Sequence, residues 1–439
     1  MSGSLTDAAY RPLGLGERWR GRLLDCSVAV VLLTLVTPLS LLVLPWRMAL
    51  GKLRLQGREI IGAGGRPVRL HYFGIKSEPG AAACATRTVF QALPLLWAVL
   101  DGRLSLVGPR PVGPQELTEF GGIAHPRFNV TPGLICLWGL RRRINIDYGT
   151  ESDADLEYVR HRSLRRDIGI LARALLSRLY GAGSAQCKAS QSISGIRLLN
   201  VSMDNLLDAI VCSLNNRVRT RIAFVNPDCV NIAAADTAYR MSLAKCDWVC
   251  ADGIGMKIAG KLLRRPIRQN INGTDLFPKL CGELAKSGHS LYLLGARDGV
   301  AEAAANWAIL RYPELKIAGA RSGYFSETEA PAVLQEIRMT GAQVLLVAMG
   351  APRQELWLEH NLDTSGAMLG IGVGGLFDFY SGRIPRAPLW LREIGGEWVY
   401  RLLMEPGRMW RRYLVGNWVF LFRIAVEKLT SVREKGSLT

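Results

Sequence analysis

The chain has 439 residues, enough for two or three domains that each bury a core of their own. Its 55 lysines and arginines exceed its 37 aspartates and glutamates, and the net charge of +18 favours an anionic partner such as a membrane surface or a phosphorylated substrate. Nucleic acid is not expected as a partner, because the sequence lacks zinc spacings, a basic heptad region and an aromatic RNA-binding motif. The nine cysteines are scattered without C-x-x-C spacing, so neither a zinc site nor a disulfide framework is predicted.

An apolar segment at residues 28–46, "VAVVLLTLVTPLSLLVLPW", is close to the ~20 residues that a membrane-spanning helix needs. Pro38 in its middle lacks a backbone N–H and would kink the helix. Arginines and lysines flank both ends, and the positive-inside rule places both ends on the cytoplasmic side. We therefore expect a re-entrant hairpin that enters and leaves by one leaflet. A plain transmembrane helix and an uncleaved signal-like segment are the alternatives.

The composition after this segment divides the chain into regions. A compact basic region ends in an arginine-rich helical pattern, and a small, polar stretch after it is typical of a linker. Strands then alternate with helices, and the last stretch is basic, aromatic-rich and amphipathic, which suggests a membrane-interface element. The predicted regions are a basic arm with the membrane helix (1–57), a small α+β membrane-associated domain (58–182), a linker (183–194), an α/β domain (195–390) and a C-terminal appendage (391–439).

The region from residue 195 has the pattern of a doubly wound, Rossmann-like α/β domain. Its apolar stretches "RIAFVN", "DWVCADG", "SLYLLGA" and "VLLVAMGAP" are each followed by a helical pattern, as expected for parallel strands buried on both faces. Ligands of such sheets bind beyond the carboxyl ends of the strands. The residues predicted at those ends are Asn226, Asp252, Gly295, Gln354 and Gly374.

Asp252 is the carboxylate among these strand-end residues, in the stretch "CADGIG" between a predicted strand and a predicted helix. A carboxylate there can face a ligand cleft, or it can cap the helix by accepting hydrogen bonds from the first N–H groups. These residues by themselves leave both roles open.

A longer series of segments occurs in a fixed order from residue 196 onward: "VNPDCVNIA", "ADGIG", "NGTDLFPKL", "YLLGARDGVAEAA", "YPELKIAGARSGYF", "AMGAPRQELW", "GIGVGGLFDFYSG", "RAPLW" and "EWVYRLLMEPGRMWRRYL". Together they resemble the WecG/TagA/CpsF glycosyltransferases, glycosyltransferase family 26, over more than half of the chain. The resemblance implies an inverting enzyme, without metal or cofactor, that moves a sugar from a UDP-sugar donor to a sugar on a polyprenyl diphosphate acceptor. It also implies the cytoplasmic membrane leaflet as a partner and a homo-oligomer as one expectation.

The same resemblance assigns roles to individual residues. Asp252 becomes the base that takes the proton of the acceptor hydroxyl as that oxygen attacks C1 of the donor sugar. Three other residues match substrate-binding positions: Asn226, Asp275 and Gln354. Three arginines of the appendage match positions that stabilise the diphosphate of the leaving UDP, with a solvated or lipid-headgroup-binding face as the alternative: Arg401, Arg408 and Arg411.

Two positions depart from the family pattern. Phe224 stands where many members have threonine, and Asn270 stands where many have arginine. Both are expected to border the substrate, so the donor and acceptor sugars stay open.

The front of the chain contains the segments "GREIIGAGGRPVRLHYF", "RTVFQALPLLWAVLDGRLSLVGPRP" and "PRFNVTPGLICLWGL". They resemble the bacterial monotopic phosphoglycosyltransferases, which move a sugar-1-phosphate from a UDP-sugar onto polyprenyl phosphate and release UMP. The membrane helix of that family is re-entrant and breaks at a central proline, which agrees with the hairpin expected around Pro38.

Residues essential to that chemistry are replaced in this chain. The family carries an Asp-Glu pair before "LP", whereas this sequence has Gln91 and Ala92, which cannot attack phosphorus or hold a hard cation. Gly74 likewise replaces an arginine, while Arg87 and Arg110 are retained as predicted phosphate-binding residues. Our hypothesis is an inactive platform at the cytoplasmic face of the plasma membrane, fused to a working glycosyltransferase of exopolysaccharide or surface-glycan synthesis. A bifunctional enzyme and a non-catalytic assembly scaffold are the alternatives.

Overall fold

The computed structural model describes residues 15–49, 53–75, 93–144, 149–180 and 188–436. Arg87, Gln91 and Ala92 lie outside these residues, as does the first part of the predicted linker. The chain divides into two compact units, residues 1–185 and 186–439, which are described separately below.

The first unit combines helices with two small sheets: α1 (Leu15–Ala49), β1 (Leu53–Ile61), β2 (Pro67–Ile75), α2 (Leu93–Leu100), β3 (Ser105–Val107), β4 (Gly133–Ile135), α3 (Leu137–Ile144), α4 (Glu151–Arg160) and α5 (Leu164–Tyr180). β1 and β2 pair antiparallel around Gly64 and Gly65, whose φ angles of 71° and 72° suit glycine in the turn between the two strands. β3 and β4 pair in parallel. Leu104, Tyr158 and Ile170, each at most 2% exposed, are central to the core of this unit.

α1 is assigned as one helix that continues through Pro38. Its stretch Trp19–Pro38 is long and apolar enough to cross a membrane, by length and composition. Near its start, Asp25 is buried and accepts hydrogen bonds from the Ser105 hydroxyl at 2.8 Å and from the Leu106 N–H at 3.0 Å. These bonds attach α1 to the body of the first unit, while the re-entrant path stays a prediction.

The second unit is built on one sheet with the strands β5 (Ser190–Ile193), β6 (Ile196–Leu199), β7 (Thr220–Val225), β8 (Trp248–Ala251), β9 (Ser290–Gly295), β10 (Lys316–Arg321), β11 (Val344–Ala348) and β12 (Leu369–Gly372). The strand order is β10-β9-β11-β12-β7-β8-β6-β5, and each neighbouring pair is parallel except β5 with β6. β11 is buried along its whole length, as predicted for a strand covered on both faces. The predicted α/β class is confirmed, and the arrangement is consistent with a Rossmann-like domain.

Helices cover both faces of this sheet: α6 (Met203–Asn215), α7 (Pro227–Ala235), α8 (Thr237–Ala244), α9 (Ile254–Leu262), α10 (Gly273–Ser287), α11 (Val300–Arg311), α12 (Ala330–Thr340), α13 (Arg353–Ser365), α14 (Leu376–Tyr380) and α18 (Gly416–Gly436). Three short helices lie between α14 and α18 in the chain: α15 (Leu389–Glu393), α16 (Glu397–Met404) and α17 (Pro406–Trp410). One core cluster joins the sheet to α6, α10, α11 and α14, and another joins it to α7, α8, α9 and α18. Phe420 and Ile424 of α18 are 1% and 0% exposed within the second cluster, whereas Trp418 and Phe422 are 72% and 71% exposed. The appendage therefore contributes to the core through one face and presents an apolar outer face.

The start of the second unit differs from the sequence prediction. Residues 190–193, which we assigned to the linker, form the edge strand β5, because Ile193 is fully buried and the segment completes an antiparallel ladder with β6. The adjoining Ser194 donates hydrogen bonds to Glu427 of α18 from its N–H at 2.9 Å and from its hydroxyl at 3.2 Å. Arg265 donates to the same carboxylate at 2.6 Å. The first strand and the last helix of this unit are thus bonded to each other.

Candidate active site

The candidate site lies at the carboxyl edge of the large sheet, where the strand connections change direction. β7 pairs with β8 on one side and with β12 on the other, so the two halves of the domain meet at β7. Val225 pairs with Ala251, and the Asp252 N–H donates to the Val225 carbonyl at 2.8 Å. Asn226 and Asp252 are therefore neighbours at the switch point where doubly wound sheets bind ligands.

Asp252 is half-buried at this edge, and its carboxylate accepts no hydrogen bond from the residues that the structure describes. The N-cap of α9 is Gly253, and no side-chain cap is formed there. The helix-cap alternative for Asp252 is thus not what the structure shows. Burial raises the pKa of Asp252 to about 6, with a further contribution from Glu397, while Arg412 and Arg401 oppose the shift. Such a carboxylate is ionised at neutral pH and still basic enough to take a proton.

The two positions that depart from the family are Asn270, which bonds to the residue after Asp252, and Phe224, near the end of β7. Asn270 accepts a hydrogen bond from the Gly253 N–H at 2.5 Å, so it satisfies the first N–H at the start of α9. Phe224 is 6% exposed, and a Cβ placed on Gly273 would lie 3.5 Å from its ring. Phe224 therefore packs against the start of α10, and the substrate contact expected of it stays a prediction.

Replacing Asn270 with alanine should lower kcat several-fold and destabilise the protein by roughly 1 kcal/mol, because the Gly253 N–H next to Asp252 loses its acceptor. Steady-state kinetics and thermal unfolding measure the two effects. Gln269→Ala is the matched control, since Gln269 accepts from the Met203 N–H at 2.7 Å at the start of α6. An equal loss of kcat in both variants would contradict the positioning role of Asn270.

Asn226 and Gln354 both lie at this edge, with their amide groups engaged by the protein. Asn226 caps α7 by accepting from the N–H groups of Asp228 at 3.0 Å and Cys229 at 3.1 Å. Gln354 is 4% exposed and accepts from the N–H groups of two glycines, Gly350 at 3.2 Å and Gly374 at 2.9 Å. It therefore holds together the loops that follow β11 and β12. Contact of Asn226 and Gln354 with the donor stays a prediction.

Asp275 is part of a chain of charges at the start of α10. It accepts from the Asn272 side-chain amide at 2.8 Å and from the Arg386 guanidinium. Arg386 Nε also lies 3.8 Å from a Glu397 carboxylate oxygen. Asp275 thus connects the body of the domain to the appendage through Arg386. Its contact with substrate stays a prediction.

The three predicted arginines of the appendage have different surroundings. Arg401 lies against the loop after β12. Its Nη2 approaches Gly375 so closely that a Cβ added to this glycine would be 2.5 Å from it. The Arg401 guanidinium also lies 5.1 Å from the Phe379 ring centre. Arg408 is exposed, 3.6 Å from the carboxylate of Glu405. Arg411 is also exposed, with its guanidinium 5.3 Å from the ring centre of the preceding tryptophan. Of the three, the structure brings Arg401 to the site.

Two charged residues near Asp252 were missed by the sequence analysis, Glu397 and Arg412. Burial raises the pKa of Glu397, and its charge in turn raises that of Asp252. Arg412 Nε lies 3.2 Å from Asp228. Helical spacing does not identify Arg412, because the helical pattern that carries Arg401 breaks at Glu405 before it reaches residue 412.

In the first unit, Arg110 is surrounded by carboxylates. It donates to Glu151 at 2.7 Å and lies 2.8 Å from Glu116. Beside it, Arg127 is 2% exposed and lies 3.2 Å from Asp155, whose pKa burial raises to about 7. A phosphate would have to displace two carboxylates to reach Arg110, so its predicted phosphate-binding role stays a prediction. Arg87 lies outside the described residues.

Comparisons with known proteins agree with both resemblances. Residues 191–434 match the family described as "Glycosyl transferase WecG/TagA/CpsF family", and residues 82–181 match that described as "Bacterial sugar transferase". The N-acetylglucosaminyldiphosphoundecaprenol N-acetyl-beta-D-mannosaminyltransferase of Bacillus subtilis (strain 168) is 29% identical over 226 residues, which cover 51% of this chain and 87% of that relative. The enzyme of the same name from Staphylococcus aureus (strain MW2) is 30% identical over 243 residues, 55% of this chain and 94% of the relative. The chain belongs to the WecG/TagA/CpsF family and is a glycosyltransferase.

Proposed function

We propose that the second unit transfers a sugar from a UDP-sugar to a saccharide linked to polyprenyl diphosphate, with inversion at C1 and with Asp252 as the base. The observation that carries the proposal is the placement of Asp252 at the switch point, free of a capping role and within reach of the positive charges of Arg401 and Arg412, which lower its pKa. The names of the two relatives specify an N-acetylglucosaminyldiphosphoundecaprenol acceptor, which supports this class of acceptor.

In the proposed reaction the acceptor oxygen attacks C1 of the donor sugar while its proton passes to the Asp252 carboxylate. The bond between C1 and the phosphate oxygen breaks, and its electron pair leaves with UDP. The leaving diphosphate gains negative charge, which the guanidinium of Arg401 can stabilise from the loop after β12. Attack and departure on opposite faces of C1 give the inverted product.

We further propose that the first unit is an inactive membrane platform and that the protein acts at the cytoplasmic face of the plasma membrane. The replacement of the Asp-Glu pair by Gln91 and Ala92 removes the nucleophile and a metal ligand. Arg110, which is retained from the family's phosphate-binding residues, is already paired with the carboxylates of Glu116 and Glu151. The apolar stretch in α1 and the net charge of +18 support attachment to an acidic leaflet.

Separate assays of UDP and UMP test this division of labour. Full-length protein in nanodiscs receives a panel of UDP-sugars with either polyprenyl phosphate or polyprenyl-diphosphate-linked sugars. We expect UDP release that depends on the diphosphate-linked acceptor, and no UMP above background. Release of UMP with polyprenyl phosphate would show an active first unit and a bifunctional enzyme. Release of neither nucleotide would favour the scaffold.

A further inference from the structure

Gln354 and Glu355 are consecutive residues in the first turn of α13, and both side chains are buried. The Gln354 amide nitrogen donates to Glu355 Oε1 at 2.7 Å. Its amide oxygen accepts from the N–H groups of Gly350 and Gly374. The amide also packs closely on the end of β12, where a Cβ added to Gly372 would lie 2.8 Å from Nε2. Glu355 is thus bonded to the group that holds together the loops after β11 and β12.

A side-chain amide can exchange the places of its nitrogen and oxygen by half a turn about its last bond, with little change in shape. The reversed Gln354 amide would direct its own N–H groups at the two glycine N–H groups, and both hydrogen bonds would be lost. An ionised carboxylate only accepts, so Glu355 stabilises the orientation in which the Gln354 nitrogen faces it. A second amide at position 355 could donate as well as accept and would permit either orientation.

The Glu355 carboxylate lowers the stability of the fold. Its Oε2 is buried and accepts no hydrogen bond from the residues that the structure describes. Burial raises the pKa of Glu355 to about 7, and the bond from Gln354 opposes the shift. Burial, with a further contribution from the Glu355 charge, also raises the pKa of the nearby Cys229, Tyr239 and Cys246, so these groups stay neutral around it. A carboxylate whose pKa is raised by burial is unfavourable when ionised, so stability does not account for this residue.

We propose that Glu355 is a positioning residue for sugar transfer, because its carboxylate fixes the orientation of the Gln354 amide and thereby the two loops at the carboxyl edge of the sheet. This inference rests on the proposed function, since sugar transfer is the activity that these loops serve. Glu355 acts through Gln354 and is assigned no contact with substrate.

Glu355→Gln tests the proposal because it keeps the size of the side chain and removes its charge. At about pH 8, kcat/KM of the full-length protein should fall about tenfold or more, since the loops are no longer held in one arrangement. The substrates are the UDP-sugar and the acceptor that give UDP release in the wild type. The thermal unfolding midpoint should not fall, because a buried charge is removed.

The pH dependence of stability gives a second readout. In the unfolded chain the wild-type carboxyl ionises at its usual pKa, whereas in the folded protein it ionises near pH 7. The gain in midpoint of Glu355→Gln over the wild type should therefore grow from about pH 5 to about pH 7 and level off above it. Glu359→Gln, one turn further along α13, is the matched control. Glu359 pairs with the exposed Lys245 at 2.5 Å, and its replacement should leave transfer and midpoint unchanged.

Combination with Gln354→Ala separates positioning from a structural role. If Glu355 acts through Gln354, Glu355→Gln should change kcat/KM less than about twofold once residue 354 is alanine. An equal loss with and without Gln354 would overturn the inference. A joint loss of rate and midpoint in Glu355→Gln would also overturn it, because an acidic residue that only stabilises the first turn of a helix gives that result. A wild-type protein that releases no UDP would defeat the proposed function, whereas full transfer by Glu355→Gln would defeat this inference alone.

Discussion

Replacing Asp252 with asparagine should lower kcat for sugar transfer by on the order of 10²–10⁴-fold, because the acceptor hydroxyl loses the group that takes its proton. Binding of UDP should persist or tighten, since a negative charge leaves the neighbourhood of the diphosphate. The fold should be retained, because the carboxylate accepts no hydrogen bond from the described residues and does not cap α9. Single-turnover transfer to a polyprenyl-diphosphate-linked sugar measures the chemical step.

The pH dependence provides an independent test of the same role. The base must be deprotonated to act, and burial raises the pKa of Asp252 to about 6. The kcat/KM of the wild type should therefore rise with pH up to about 6 and level off above it. The residual activity of the asparagine variant should lack this rising limb. A variant that keeps both the rate and the limb would exclude Asp252 as the base.

Replacing Gln354 with alanine should lower the free energy of unfolding by roughly 2–4 kcal/mol and reduce transfer strongly, because the variant leaves buried polar groups unpaired. The N–H groups of Gly350 and Gly374 lose their shared acceptor. The Gln354 amide also donates to Glu355 at 2.7 Å, and Glu355 is 2% exposed. Since burial already raises the pKa of Glu355 to about 7, loss of this donor should raise it further. Chemical denaturation and transfer kinetics measure the two losses.

Gln343→Ala is the matched control for that variant. Gln343 accepts from the Ser290 N–H at 2.8 Å at the start of β9, at the sheet edge opposite the site. Its replacement should cost about 1 kcal/mol and leave transfer unchanged. If Gln354→Ala proved no more harmful than Gln343→Ala, the two loops would not depend on Gln354.

The position of Asp252 could be predicted from the sequence because strand ends have a strong local signal. An apolar run that stops at an acidic residue and glycine predicts a residue at the carboxyl edge, and parallel pairing brings such residues together. The role of Gln354 could not be predicted in this way. Its partners Gly350 and Gly374 are brought together by the pairing of β11 with β12, which depends on the order of strands across the whole sheet.

The appendage was harder to predict for a local reason. The helical pattern from residue 397 onward is interrupted at Glu405, where φ is −132°, and again by the π-helical turn. Each interruption rotates the residues that follow, so the sequence does not specify which of Arg408, Arg411 and Arg412 faces the domain. That choice depends on the contact between Asn231 and Gly416, which are far apart in the sequence.

The bonds from Ser194 and Arg265 to Glu427 set practical limits for dissecting this protein. A fragment that begins at residue 195, the domain boundary predicted from the sequence, would lack β5. Its Glu427 carboxylate would also lose the two hydrogen bonds donated by the Ser194 N–H and hydroxyl. A fragment that ends before α18 would lose Phe420 and Ile424 from the core. A stand-alone transferase should therefore begin no later than residue 188 and retain the whole of α18.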